Sequence, residues 1–562
     1  MRRNGKSVVL CGLFWVLCGC GDPVAVEQSV EVKQTLAQRA GAPLFKGMGA
    51  FHMPITTRDT DAQRYFDQGM VLAFGFNHAE SIRSFRAAQT LDSDCAMCFW
   101  GEALATGPNI NVTNNGKAVM TPEERASARA AIDHALTLVD GVTPKERSWI
   151  LALDKRYDGQ PDTPRDPLDR AWADALADMA GAYPDDMTVA SVYAEALMNT
   201  MPWDYWGPSG EAKPDTQAVI ESLERVMAAE PEHPLALHLY IHALEASSNV
   251  QKAEAAADTL ANLVPGSGHL VHMPSHIYFR VGRYQDAALA NIRAADIDEA
   301  YIAECNAQGF YPALYYPHNI HFLWASATMQ GQSELSLKSA RRVVENVRVE
   351  QVEQFPTIQF FRTVPMLSLV RFARWEEILS EPEPHAPFAF ARAIWHYGRG
   401  VAYSAMENED AALNELAAIE RLEPEVDEIF MGNVYPAKNL LAIAKSLLRG
   451  EIAFRSGAMA AAVVSFEEAV AMQDALPYTE PPFWYYPTRQ SLGAALLADG
   501  RAAEAQLVFE ADLEQYPMNG WSLYGLTEAL STQGHTALAE AARLRFEAVW
   551  QFSDVTLSTS VL

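Results

Sequence analysis

Small, apolar and aromatic residues recur in a fixed order along most of this chain. In residues 486–519, small residues stand at Gly493 and Ala505, an aromatic residue at Phe509 and a proline at Pro517. The two small residues allow two helices to pack closely, the aromatic ring fills the gap between them, and the proline ends the second helix. The pattern therefore predicts a pair of helices in this unit.

The same spacing returns elsewhere, with Gly69 and Phe85 in residues 62–95 and Ala462 and Phe466 in residues 443–476. Further units begin at 234, 268 and 317, and weaker ones near 187, 359, 393 and 520. This order of residues resembles the tetratricopeptide repeat over most of residues 62–549. The resemblance implies an all-α fold, a single curved α-solenoid of stacked helix-turn-helix units over residues 46–562.

Histidines occupy the positions that would line the groove of this solenoid. The resemblance implies that positions 2, 5 and 9 of each unit face the concave side. With the register fixed on glycine, alanine and proline alone, seven of the nine such positions in the units starting at 234, 268 and 317 are histidine, whereas 14 histidines in 562 residues predict about 0.2. The seven are His238, His242, His269, His272, His276, His318 and His321. The sequence thus predicts a histidine-lined groove at about 186–350.

The spacing of these histidines indicates metal binding. Residues four apart on a helix project from one face about 5 to 6 Å apart, a separation at which two imidazoles can share one ion. His238 with His242, and His272 with His276, have this spacing. Nitrogen-rich ligation favours a transition metal, namely zinc, copper or iron, over calcium or magnesium. Three further residues are candidates to contact the metal-binding histidines or a substrate, namely Glu195, Glu245 and Arg280.

One proline interrupts this pattern. Pro274 falls inside the predicted first helix of the 268–301 unit, and Gly266 and Gly268 precede it. These residues predict a late helix start that leaves His269 and His272 in an approach loop.

Several functions fit a groove of this kind. The first hypothesis is a metal-binding groove. Its extension is an enzyme, either a metal-dependent oxidoreductase or a metal-dependent hydrolase. The alternatives are a polar or anionic small-molecule ligand and a non-enzymatic scaffold for a peptide, protein or glycan partner, because fold alone does not decide function. The chain contains no HExxH, GxSxG, phosphate-loop or dinucleotide motif, so no nucleotide cofactor is predicted.

The N-terminus has the features of a targeting segment. Three basic residues precede an apolar run from Val8 to Leu17 that is too short to span a bilayer, which predicts a signal peptide over residues 1–19. Leu17-Cys18-Gly19-Cys20 resembles a bacterial lipobox, which implies lipidation of Cys20 and a membrane-anchored spacer over residues 20–45. Gly21 in place of aspartate favours the outer over the inner membrane of the bacterial envelope.

The net charge and the cysteines bear on the remaining function classes, namely nucleic acid binding and haem attachment. A net charge of −28 lacks the concentrated lysine and arginine that nucleic acid binding needs. Cys95 and Cys98 have the spacing of either structural thiols or a local disulfide, with a metal role less favoured. Phe99 stands where covalent haem attachment would require histidine.

Overall fold

A computed structural model describes residues 34–562 apart from 115, 116, 208, 209, 306, 308, 355 and 427–435. The predicted signal peptide and Cys20 lie outside the described residues. The only strands among the described residues are β1 (Thr113–Asn114) and β2 (Lys117–Ala118), which form a two-residue antiparallel pair. Helices make up the rest of the regular structure.

The helices of the first half of the chain pack in sequence, each against its neighbours. They are α1 (Leu36–Ala40), α2 (Thr60–Phe74), α3 (His78–Leu91), α4 (Ala96–Thr106), α5 (Pro122–Thr137), α6 (Pro144–Asp154), α7 (Arg165–Ala182), α8 (Met187–Thr200), α9 (Pro214–Ala229), α10 (Pro234–Leu244), α11 (Glu254–Leu260), α12 (Gly268–His272) and α13 (Pro274–Arg280). Short 3₁₀ turns lie at Val139–Gly141 and Val250–Ala253.

The second half continues the same arrangement. Its helices are α14 (Tyr284–Cys305), α15 (Tyr316–Met329), α16 (Ser333–Asn346), α17 (Val349–Gln354), α18 (Val364–Arg371), α19 (Trp375–Ser380), α20 (Ala389–Ala405), α21 (Glu409–Leu422), α22 (Ala437–Arg455), α23 (Met459–Asp474), α24 (Arg489–Ala498), α25 (Ala502–Gln515), α26 (Gly520–Thr532) and α27 (Thr536–Trp550). A π-helical turn occupies Tyr311–Tyr315, and 3₁₀ turns occupy Pro356–Thr363 and Glu423–Glu425.

Aromatic rings interlock with glycines where helices of successive units meet. A Cβ atom placed on Gly493 or Gly525 would lie 2.3 or 2.2 Å from the ring of Phe509, so only glycine permits this approach. Phe466 contacts Gly450 in the same way, at 2.4 Å from a Cβ placed there. The anchors read from the sequence thus do the packing expected of them, and the predicted all-α solenoid of tetratricopeptide type is confirmed.

The C-terminal unit contacts the middle of the chain. The Trp521 indole donates a hydrogen bond to the Thr328 carbonyl at 3.1 Å. The Asp554 carboxylate accepts from the backbone N–H groups of Ser333 and Glu334 at 2.7 and 3.0 Å, and so caps the start of α16. The C-terminal unit therefore packs against α15 and the start of α16.

The segment before α2 belongs to the body rather than to a spacer. The Tyr65 hydroxyl donates to the Ala42 carbonyl at 2.5 Å, and the Phe45 N–H donates to the Gln68 side chain at 2.7 Å. Further along, the Gly266 N–H donates to a backbone carbonyl of this segment at 2.8 Å. The predicted spacer over residues 20–45 is therefore too long, because residues 34–45 pack against α2 and α3.

Cys95 and Cys98 form a disulfide at the start of α4, which decides between the two states expected of them. Both residues are buried. Among the described residues, no helix combines the length and the apolar character needed to cross a membrane.

Candidate metal centre

α10 presents two of the predicted histidines to the interior. Pro234 occupies its first turn, where the missing N–H costs nothing. His238 and His242 follow one turn apart, and both are buried. Their ring centroids are 4.8 Å apart.

α12 and α13 bring three more histidines beside α10. Met273, between the two helices, keeps right-handed helical angles (φ −51°, ψ −39°), so Pro274 starts α13 without turning the chain away. The rings of His272 and His276 therefore stay close, with centroids 4.8 Å apart. The predicted late helix start is wrong, because α12 already begins at Gly268 and places His269 inside the cluster.

His318 joins the cluster from α15, which follows the π-helical turn. Its ring centroid lies 4.8 Å from that of His272 and 5.9 Å from that of His276. Six predicted histidines therefore converge in two trios, and within each trio the ligand atoms lie within 4.8 Å of one another. The trios are His238, His242 and His269, and His272, His276 and His318.

In the first trio, protein acceptors fix one nitrogen of two rings and leave the other free. The Nδ1 of His238 lies 2.6 Å from the Phe74 carbonyl, and the Nδ1 of His242 lies 2.7 Å from a Glu245 oxygen. Each acceptor requires the proton on Nδ1, so each Nε2 presents a lone pair. The Nε2 atoms of His238 and His242 and both ring nitrogens of His269 are buried, with no hydrogen-bond partner in the part of the chain that the structure describes.

Burial keeps most of these imidazoles neutral. The pKa of His238, His269, His272 and His318 lies well below 6.5, first because burial disfavours the charged ring and then because other imidazoles lie nearby. A neutral imidazole is the form that ligates a metal ion. Near pH 7 these four side chains are thus ready to bind metal without losing a proton.

Two buried carboxylates complete the cluster. Glu245, just after α10, accepts from the Nδ1 of both His242 and His276. Burial raises the pKa of Glu245, but the two imidazoles outweigh it and bring that pKa to about 2. The second carboxylate, Glu480, lies 3.4 Å from the Nδ1 of His276, and burial, with the charge of Glu245, raises its pKa to about 8.

Aromatic side chains enclose the first trio. The centroid of the Phe76 ring lies 4.5 Å from that of His238 and 5.4 Å from that of His269. Two further rings add edge contacts, Trp203 after α8 at 5.2 Å from His242 and Tyr315 in the π-helical turn at 4.8 Å from His269. Such walls exclude water and strengthen electrostatic interactions within the site.

Three predicted site residues lie apart from the two trios. The ring of His321 stacks on Trp324 at 5.1 Å between centroids and contacts two phenylalanines, so its inclusion as a metal ligand is corrected to a packing role. Burial raises the pKa of Glu195 to about 7, partly offset by Arg156, and Glu195 is not part of either trio. Arg280 donates to the backbone carbonyls of Glu245 and Ser247 and thus supports the turn after α10.

Comparison with known proteins gives information about the fold only. No protein-family model matches the chain, and no curated protein matches it. The fold is a tetratricopeptide-type solenoid. Similar solved structures include YrrB, a TPR protein with an unusual peptide-binding site, at 16% identity and a TM-score of 0.26, with 38% of this chain and 96% of that chain covered.

Yeast Tom70 is similar at 12% identity and a TM-score of 0.27 over 87% of this chain and 90% of its own. The human IFIT1 dimer with m7Gppp-AAAA is similar at 12% identity and a TM-score of 0.30 over 88% of this chain and 91% of its own. Values of this size carry no inference about what this chain binds.

Sequence reasoning missed three residues of the site. Glu480 lies in the segment between α23 and α24, outside the predicted groove at 186–350, and no repeat anchor marks it. Asn291 on α14 lies 2.6 Å from the Nδ1 of His272, at a position that a repeat pattern treats as core. Phe76 lies in the turn between α2 and α3 with φ at 57°, a conformation that the sequence does not reveal.

Proposed function

We propose that this protein binds a transition metal ion in its interior through the first trio, His238, His242 and His269. The observation that carries the proposal is the set of four buried ring nitrogens in this trio that have no hydrogen-bond partner among the described residues. Leaving one buried polar group unpaired costs about 1 to 3 kcal/mol. A metal ion bound by one nitrogen of each imidazole would satisfy three of these four nitrogens at a single point.

The donor set supports a particular class of metal. Neutral imidazoles without thiolates suit zinc, copper, iron or nickel, whereas calcium and magnesium prefer oxygen ligands. The Phe74 carbonyl and the Glu245 carboxylate hold the Nδ1 protons, the outer contact that usually orients a metal-binding histidine. Zinc, copper or iron therefore remain the proposed cofactors.

Thermal unfolding of chelator-stripped full-length protein tests this function. A ligand that binds only the native state at about 1,000 times its Kd adds about 4 kcal/mol to the free energy of unfolding. Zinc is expected to raise Tm accordingly, while equal magnesium leaves Tm unchanged. Equal Tm values with zinc and magnesium would contradict a site built from imidazoles.

We further propose that the protein is anchored by a lipid in the bacterial cell envelope, the outer membrane in preference to the inner. The lipobox-like Leu17-Cys18-Gly19-Cys20 supports the anchor. The disulfide between Cys95 and Cys98 fits an oxidising compartment. Cys20→Ala is expected to move the protein from the membrane fraction to the soluble fraction; unchanged membrane association of the variant would argue against lipidation.

A second candidate function is a scaffold that binds a protein or peptide partner. Apolar side chains stand exposed on second helices of the C-terminal units, with exposures of 45% for Leu413, 55% for Val464, 65% for Leu507 and 54% for Leu544. Exposed apolar surface often marks a partner interface. Capture of one stable partner, lost in Leu507→Glu and unaffected by chelator, would support this candidate; no effect of Leu507→Glu on that capture would oppose it.

A further inference from the structure

The second histidine trio, His272, His276 and His318, is built differently from the first. The Nδ1 of His272 faces the Asn291 side-chain oxygen at 2.6 Å, and the Asn291 amide donates to the Ala287 carbonyl at 2.8 Å. That second bond fixes the amide orientation, so the oxygen must accept from His272. The Nε2 of His272 is therefore left as an acceptor.

This Nε2 meets the Nε2 of His276 at 2.8 Å. The Nδ1 of His276 is in turn held by Glu245. Two ring nitrogens at this distance share a proton, because two lone pairs would repel, and a metal ion ligated by both rings would replace that proton. The contact marks a second point, apart from the first trio, at which positive charge is held.

A second carboxylate lies beside the same histidine, at its other ring nitrogen. Glu480 lies 3.4 Å from the Nδ1 of His276, and its Oε2 is buried without a hydrogen-bond partner among the described residues. Together with Glu245, one oxygen of Glu480 and one nitrogen of His276 form a third group with the spacing of a metal site. Glu480 lies beside a member of the second trio rather than of the first, so the two sites differ in nearby charge.

Glu245 links the two sites. One of its oxygens accepts from His242 of the first trio and the other from His276 of the second. The ring centroids of these two histidines are 5.9 Å apart, and those of His269 and His272 are 5.8 Å apart. One buried carboxylate thus positions a ligand of each site and supplies negative charge between them.

We propose that the cluster is a two-ion centre, in which the second trio holds a second transition metal ion beside the ion of the first trio, while Glu480 contacts His276 at its other ring nitrogen. The inference rests on the proposed function. Glu245 is a positioning residue for both ions, and Glu480 contributes charge to the second ion alone. A buried pair of dications needs nearby carboxylates, and the two present lie at the second site and between the sites.

Counting bound ions tests the proposal. Chelator-stripped full-length protein is titrated with Co²⁺, desalted and analysed for cobalt, beside His238→Gln/His269→Gln and His272→Gln/His318→Gln. Glutamine keeps a polar side chain of similar length, and circular dichroism melts check that each variant is folded. We expect two ions in the parent and one in each double variant.

Two single substitutions separate the roles of the carboxylates. Glu480→Gln is expected to weaken one of the two binding steps about tenfold or more, and Glu245→Gln to weaken both about 10- to 100-fold. One ion in the parent, lost in both double variants, would overturn the two-ion centre while leaving metal binding intact. No ion in the parent would instead overturn the proposed function itself.

Discussion

His242→Gln/His276→Gln should remove bound zinc or copper from the protein, with affinity reduced at least about a hundredfold. The two substitutions take one imidazole from each trio, and both rings are partners of Glu245. Glutamine can still donate to Glu245, so the buried carboxylate keeps hydrogen-bond partners and the fold is expected to hold. Equilibrium dialysis against chelator-buffered zinc measures the change in affinity.

His321→Gln is the matched control for this experiment. His321 is a buried histidine of the same region, but its ring packs against Trp324 and Phe361 rather than on the cluster. The control is expected to bind metal like the parent. Metal retained by the double variant, or lost equally by the control, would show that the two trios are not the site.

Asp169→Ala should lower the free energy of unfolding by about 3 to 5 kcal/mol. One oxygen of Asp169 accepts from Arg156 at 3.1 Å and from Arg165 at 2.5 Å, and all three residues are at most 5% exposed. Removal of the carboxylate leaves two buried guanidinium groups without their shared counter-ion. Denaturant unfolding of the purified variant and parent measures the loss.

Asp133→Ala removes a carboxylate from an ion pair with arginine nearer the surface, and so provides the comparison for Asp169→Ala. Asp133 pairs with Arg129 one helical turn away, and its side chain is 61% exposed. Because Asp133 is exposed and Arg129 keeps a second carboxylate partner in Asp154, this pair contributes less than about 1 kcal/mol. Similar losses for the two alanine variants would contradict the assignment of the Asp169 pair as a buried structural centre.

The fold and most of the histidine cluster could be predicted because the repeat spacing fixes the direction in which side chains point as well as the secondary structure. Once Gly493, Phe509 and their equivalents set the register, the groove positions were expected to face one side, and six of their seven histidines converge there. The interior contact of His238 with His242 follows from that register alone. The helical continuity at Pro274 did not follow, because it depends on the angles of Met273.

The remaining parts of the site depend on tertiary contacts. His318 and His321 are three residues apart and thus about 60° apart around the helix, so one reaches the cluster while the other meets Trp324 and Phe361. Glu480 arrives from a unit about 200 residues later in the chain. A pattern of local spacing contains no information about such a contact.

X-ray absorption at the zinc edge, on full-length protein loaded with one equivalent of zinc and dialysed, tests the central claim most directly. The account predicts a first shell at about 2.0 to 2.1 Å with outer-shell scattering from several imidazole rings. A first shell of oxygen atoms alone, or zinc that dialyses away completely, would contradict a histidine-bound metal in the interior of this solenoid.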